Sequence, residues 1–129
     1  MKLAILLGAA ALATLSTAAF ADDYVGGAVK SSEIGGKEVL TDANGMTLYT
    51  YDKDTAGVTN CYDKCAVNWP PLMAAADAAA DGDFTIVDRT DGTRMWAYKG
   101  MPLYLWIKDT KPGDTTGDGV GEVWHTAVE

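Results

Sequence analysis

At 129 residues with ten basic against eighteen acidic side chains and a net charge of −8, the chain lacks the basic footprint that nucleic acid or an anionic membrane surface requires of a partner. Its length suits one domain with a real core. Its two cysteines are too few for a disulfide-dense scaffold.

The first stretch reads as a leader. Lys2 gives a positive start, Leu3 to Leu15 is apolar apart from small residues, and Ala19-Phe20-Ala21 has the small-x-small form of a signal peptidase site. The apolar run is shorter than the roughly 20 residues of a membrane span. The expectation is a signal peptide over 1–21, cleaved after Ala21, and export to the periplasm or the medium. The mature part, 22–129, loses Lys2 and stands at −9. No later segment is apolar enough to span a membrane, and no cysteine sits at the cleavage site to carry a lipid anchor.

Asp22 to Lys37, broken by Gly26-Gly27 and Gly35-Gly36, reads as an irregular arm or short edge strand. Lys37 to Leu40 starts a strand, Asn44-Gly45 turns the chain, and Thr47 to Lys53 returns, with Tyr49 and Tyr51 on one face. Thr55 to Asn68 is expected to be a loop carrying both cysteines. It ends at Trp69-Pro70-Pro71-Leu72, where prolines stop a helix or central strand. Met73 to Ala80 is alanine-rich and is predicted as a short helix. Phe84 to Asp88 and Arg94 to Tyr98 are strands around Asp91-Gly92. Leu103 to Lys108 is apolar on both faces, which predicts a central strand. A Gly- and Asp-rich loop then leads to a last strand, Val123 to Val128.

One segment is used twice. Gly45 to Thr55 and Gly100 to Thr110 align at an offset of 55, matching Leu48 with Leu103, Tyr49 with Tyr104, Tyr51 with Trp106 and Asp54 with Asp109; Trp69 and Trp124 keep the same offset. A repeat of this kind means one structural unit built twice. With six or seven short strands and little helix, the fold class is all-β: a small antiparallel sandwich or barrel of two repeats, at about 40–72 and 95–126, within a single domain.

The twice-used Y-x-[FYW]-x-x-D pattern, Tyr49-Thr-Tyr51-Asp-Lys-Asp54 and Tyr104-Leu-Trp106-Ile-Lys-Asp109, resembles the bacterial secreted repeat, or predicted-lipoprotein, family. Cys61-x3-Cys65-Ala66, Trp69-Pro70-Pro71-Leu72, Pro112-Gly113-Asp114 and Trp124-His125 fit the same resemblance. It implies an envelope compartment and carries no established reaction. Its associations run to envelope redox chemistry and to hydrocarbon handling.

Among candidate sites, Cys61 and Cys65 are four apart, a spacing that one helical turn brings within disulfide range. It is not the C-x-x-C of thioredoxin-like sites. A structural disulfide is expected, with a redox or copper site including His125, the single histidine, as the alternative. Asp114, Asp118 and Glu122 partly follow a calcium loop, but Thr116 and His125 stand where two ligands belong. Tyr49, Tyr51, Trp96, Tyr98, Tyr104 and Trp106 form an aromatic stripe, either core or the lining of a pocket for a small apolar ligand. Asp54 and Asp109 end matched strands and are expected to cap the following loops. No nucleophile elbow, zinc-protease helix, phosphate loop or dinucleotide fingerprint occurs. The sequence therefore predicts a non-catalytic binding or scaffolding module of the cell envelope with no resident cofactor, whose partner is an envelope protein or a small ligand.

Overall fold

A computed structural model describes residues 22–129; the leader expected over 1–21 lies outside the described residues. The fold is all-β. Among the described residues there are eight strands in three small antiparallel sheets, and these do not close into a barrel. The first sheet joins β1 (Asp23–Tyr24), β2 (Val29–Ile34) and β3 (Lys37–Asp42). The second pairs β4 (Tyr49–Tyr51) with β8 (Trp124–Thr126), and the third joins β5 (Phe84–Asp88), β6 (Arg94–Tyr98) and β7 (Met101–Pro102).

Several local expectations need correction. The region before Lys37 is no irregular arm: β2 pairs along its whole length with β3, from Val29 opposite Asp42 to Ile34 opposite Lys37. Among the described residues the single α-helix, α1 (Lys64–Asn68), lies inside the predicted cysteine loop. The alanine-rich stretch is not helical. The Ala74 N–H donates to Arg94 O at 2.9 Å, and the Arg94 guanidinium reaches the carbonyls of Ala75 and Ala76. Pairing with β6 thus outweighs alanine's helix propensity, which is only a weak prior.

The predicted central strand Leu103–Lys108 is extended but not a continuous strand. Its neighbour is the segment through Pro70 and Pro71. The Leu105 N–H donates to Pro70 O (2.8 Å) and the Ile107 N–H to Asn68 O (3.1 Å), but neither proline has an N–H to return. The matched pair in the other copy, β4 with β8, has His125 and Thr126 at those places and forms a regular ladder.

The two copies are interlocked. Tyr49 and Tyr104, equivalent residues, exchange backbone hydrogen bonds with each other at 2.8 and 2.9 Å, as expected on a pseudo-twofold axis. Each copy also lends its last segment to the other. Leu72, from the first copy, bonds to Leu103 and Trp96 of the second; Ala127, from the second, bonds to Leu48 and Leu40 of the first, all at 2.8–2.9 Å.

Side-chain alternation then divides the core. Leu48 and Leu103 enter one cluster with Val29, Leu40, Phe84 and Trp96. Tyr49 and Tyr104, one residue on, enter a second with Trp69, Trp124 and Cys61. Leu48, Leu103, Tyr49 and Tyr104 are fully buried. Each such side chain contributes roughly 1.5–3 kcal/mol by leaving water, and half of that set comes from each copy. Neither copy can fill either cluster alone.

Candidate functional site

The motif residues meet across the copies. The Tyr49 hydroxyl donates to Asp109 Oδ2 at 2.6 Å, and the Tyr104 hydroxyl donates to Asp54 Oδ2 at 2.5 Å. Each tyrosine therefore binds the aspartate of the opposite copy. All four side chains are buried. Burial, first, and the bond to a carboxylate, second, push both phenols well above the ordinary tyrosine range. They are locked donors.

The aspartates also tie down the loops that follow them. Asp54 Oδ1 accepts from the Asn60 N–H at 2.7 Å. Asp109 Oδ1 accepts from the Thr116 N–H at 3.0 Å and its hydroxyl at 2.6 Å. Capping of these loops is thus what the two carboxylates do, with the cross-copy tyrosine as an added partner. For Asp54, burial still wins: it raises the carboxyl above its usual value despite the bonds from Tyr104 and Asn60 and the nearby Arg89 charge.

Below the motif runs an aromatic column. Trp69 and Trp124, equivalent residues, stack at 3.8 Å between centroids with 2° between planes. Trp106 stacks outside Trp69 at 3.9 Å and Tyr51 outside Trp124 at 4.2 Å. Tyr49 and Tyr104 meet Trp69 and Trp124 edge-on at 5.3 and 5.2 Å, the T-shaped geometry that ring quadrupoles favour. Gly117 lies against this column. A Cβ there would stand 2.8 Å from the Trp69 ring and 2.9 Å from Tyr49, so only glycine fits.

The aromatic stripe is therefore divided. Tyr49, Tyr51, Tyr104 and Trp106 belong to the column's cluster, whereas Trp96 and Tyr98 pack in the other. The six do not line one pocket. Trp69 and Trp124, which complete the column, were visible in the sequence only as a pair at the repeat offset.

Arg89 escaped the sequence reading. It is buried, donates to Cys61 O at 3.0 Å, lies 3.4 Å from the Thr59 hydroxyl, and stacks 4.4 Å above the Tyr62 ring. Thr59 in turn meets the Tyr104 hydroxyl at 2.5 Å. A buried cation thus reaches the Tyr104–Asp54 pair through one threonine. Nothing in its local sequence, at the end of a strand and between Asp88 and Asp91, distinguishes it from a solvated charge.

Cys61 and Cys65 form a disulfide, with Cα atoms 5.2 Å apart; Cys61 is fully buried. Their sulfurs are engaged with each other, and His125 lies elsewhere, its Nε2 2.8 Å from Asp52 Oδ2 on the surface. A Cys-Cys-His copper set is not assembled. The calcium candidates do not converge either. Asp114 folds back on Thr110 and Lys111, Asp118 accepts from the Thr126 N–H at 3.1 Å, and Glu122 is exposed. Among the described residues no group of three or more His, Cys, Asp or Glu side chains is placed to hold a metal.

These features define a class: an all-β domain of two interlocked copies, in which the Y-x-[FYW]-x-x-D side chains tie one copy to the other. The chain belongs to the family described as a secreted repeat of unknown function, Lipoprotein_15, whose family model matches twice, at residues 29–73 and 85–128, together well over half of the chain. The two matches fall on the two interlocked copies. No curated protein and no solved structure matches. None of the described helices is long and apolar enough to cross a membrane.

Proposed function

We propose that this secreted repeat is a non-catalytic binding module of the bacterial envelope, exported by its leader. The observation that carries the reading is the use to which the repeated motif is put. Both tyrosines and both aspartates are buried and bonded to one another across the copies. Residues so committed stabilise a fold; a reacting group must reach a substrate. The disulfide and the Trp column are likewise internal. What supports a binding role is a body held together by internal contacts, with recesses on its surface outside the motif.

The test is isolation of the tagged, natively exported protein, followed by native and denaturing mass spectrometry. The expected result is a stoichiometric bound molecule or partner in the native mass, lost on denaturation. A preparation with nothing bound overturns the proposal, and so does turnover of a substrate that one side-chain change abolishes.

A further inference from the structure

One recess outside the motif lies where the leads into the two copies meet. It is a cavity of about 470 Å³ between the Asp23–Gly26 segment and the Asp81–Phe84 turn. That volume is in the range of small-molecule sites, roughly 300–1,000 Å³. Its wall is aromatic. Phe84 is the buried centre, with the Tyr24 ring 5.1 Å to one side and the Tyr98 ring 5.0 Å to the other, tilted by 33° and 37°. The three rings form a shallow cup that the core beneath holds in place.

Beside Val25, Gly26 and Gly82, the remaining lining is acidic. Asp23, Asp81, Asp83 and Glu129 contribute to it, and no lysine or arginine does. Glu129 is positioned by a hydrogen bond from the Tyr24 hydroxyl. The four carboxylates disfavour an anion here. Among the described residues no three such carboxylates are placed to hold a metal ion, whereas an ammonium on an organic frame can meet carboxylate and ring together. The ring faces attract it through their quadrupoles, and the carboxylates supply the opposite charge.

Outside the recess, the ammonium of the adjacent residue Lys99 lies 5.2 Å from the centroid of the Tyr98 ring, within the roughly 6 Å reach of a cation–π contact.

We infer that the cup of Tyr24, Phe84 and Tyr98 with its carboxylate rim is a binding site for a small organic ammonium ion. This inference rests on the binding-module reading and gives it a ligand class. The test titrates choline into the exported protein, following the ring resonances of Tyr24, Phe84 and Tyr98 by NMR. The control is 3,3-dimethylbutan-1-ol, the same shape without the charge. The expected result is saturable one-to-one binding of choline, with the alcohol weaker by about tenfold, as a cation–π and charge contribution of about 1.4 kcal/mol requires.

Two variants at different walls guard against misfolding. Tyr98→Leu and the pair Asp81→Asn with Asp83→Asn should each weaken choline by about fivefold or more, about 1 kcal/mol; the carboxylate pair, which is exposed, should leave the unfolding temperature unchanged, and Tyr98→Leu, whose ring packs on the core, should keep the resonances of Tyr49 and Tyr104 in place. Three results overturn the site: no saturation by choline, equal binding of the alcohol, or calcium displacing choline at equal concentration. If one of these occurs while the native mass still shows a bound partner, the cup is wrong and the module reading stands. If the native mass shows nothing bound either, both fall.

Discussion

The two tyrosine–aspartate stations do the same job with different means. At the first, Tyr104–Asp54, the carboxylate has one backbone donor, Asn60, and a buried cation, Arg89, reached through Thr59. The loop around it is stapled by the Cys61–Cys65 bond. At the second, Tyr49–Asp109, Thr116 donates twice to the carboxylate, and the Gly117 N–H donates to the Tyr49 hydroxyl at 3.1 Å. That loop has no sulfur and closes on itself through Asp114. A duplicated unit keeps what the axis demands, the crossed tyrosines, and is free to change how each loop is held.

The largest expected difference comes from Arg89. Arg89→Met should cost about 3 kcal/mol, the order found when one member of a buried ionic network is removed, because it strands the Asp54 charge and the Cys61 carbonyl. Denaturant unfolding measures it; a loss below about 1 kcal/mol would mean that the cation is not needed at the first station. Next come the phenols. Tyr104→Phe and Tyr49→Phe each remove a hydrogen bond to a charged group, about 1.5–3 kcal/mol. Asp109 retains two donors from Thr116, whereas Asp54 retains only Asn60, so Tyr104→Phe should be the more damaging. Calorimetry of the two variants gives the order, and the reverse order would contradict this account of the stations. Replacing both cysteines by alanine should cost about 2 kcal/mol in the chain-entropy picture, small because the closed loop is short. Its mark should be local, with faster hydrogen exchange at the amides of Asn60 and of position 65 and little change at Thr116 and Gly117. A uniform change in all four would show that the staple acts on the whole domain.

The repeat, the strand alternation around Leu48 and Leu103, and the cysteine pair were legible because each is a local pattern. The exchange between copies was not. An offset of 55 is the same whether Tyr49 meets Asp54 or Asp109, and only the assembled fold distinguishes them. β2 was obscured because an inward position is filled by Ser31, which is buried, so the apolar alternation that signals a strand is missing. The helix was assigned to alanines, where propensity is high, yet it formed beside the disulfide, whose four-residue spacing fits one turn. The broken strand after Leu103 was decided by two prolines thirty residues away in sequence. The cup at Tyr24, Phe84 and Tyr98 was equally hidden, since three separate strands supply its rings.

The smallest effect separates the two loops by acidity. The Asp114 carboxylate accepts from the Thr110 N–H at 2.9 Å and the Lys111 N–H at 3.2 Å, and its other oxygen lies 3.1 Å from Lys111 Nζ. The Thr110 amide foremost, then the lysine, lower its pKa from 3.8 to about 2. A carboxyl depressed by folding stabilises the native state above its unfolded pKa, and that contribution is lost as pH falls through the folded value. The second loop should therefore loosen between pH 3.8 and about 2, while the disulfide holds the first loop at any acidity. Asp54 acts in the opposite sense: its raised pKa favours the native state more in acid than at neutral pH. Amide exchange at Thr116 and Gly117, followed as the pH is lowered, should accelerate relative to Asn60 and Cys65 after correction for the intrinsic rates. In Asp114→Asn that extra acid step should be absent, because no titrating group remains at the turn. If the variant keeps the step, the acid sensitivity of the second loop does not arise at Asp114, and the two stations differ less than their hydrogen bonds indicate.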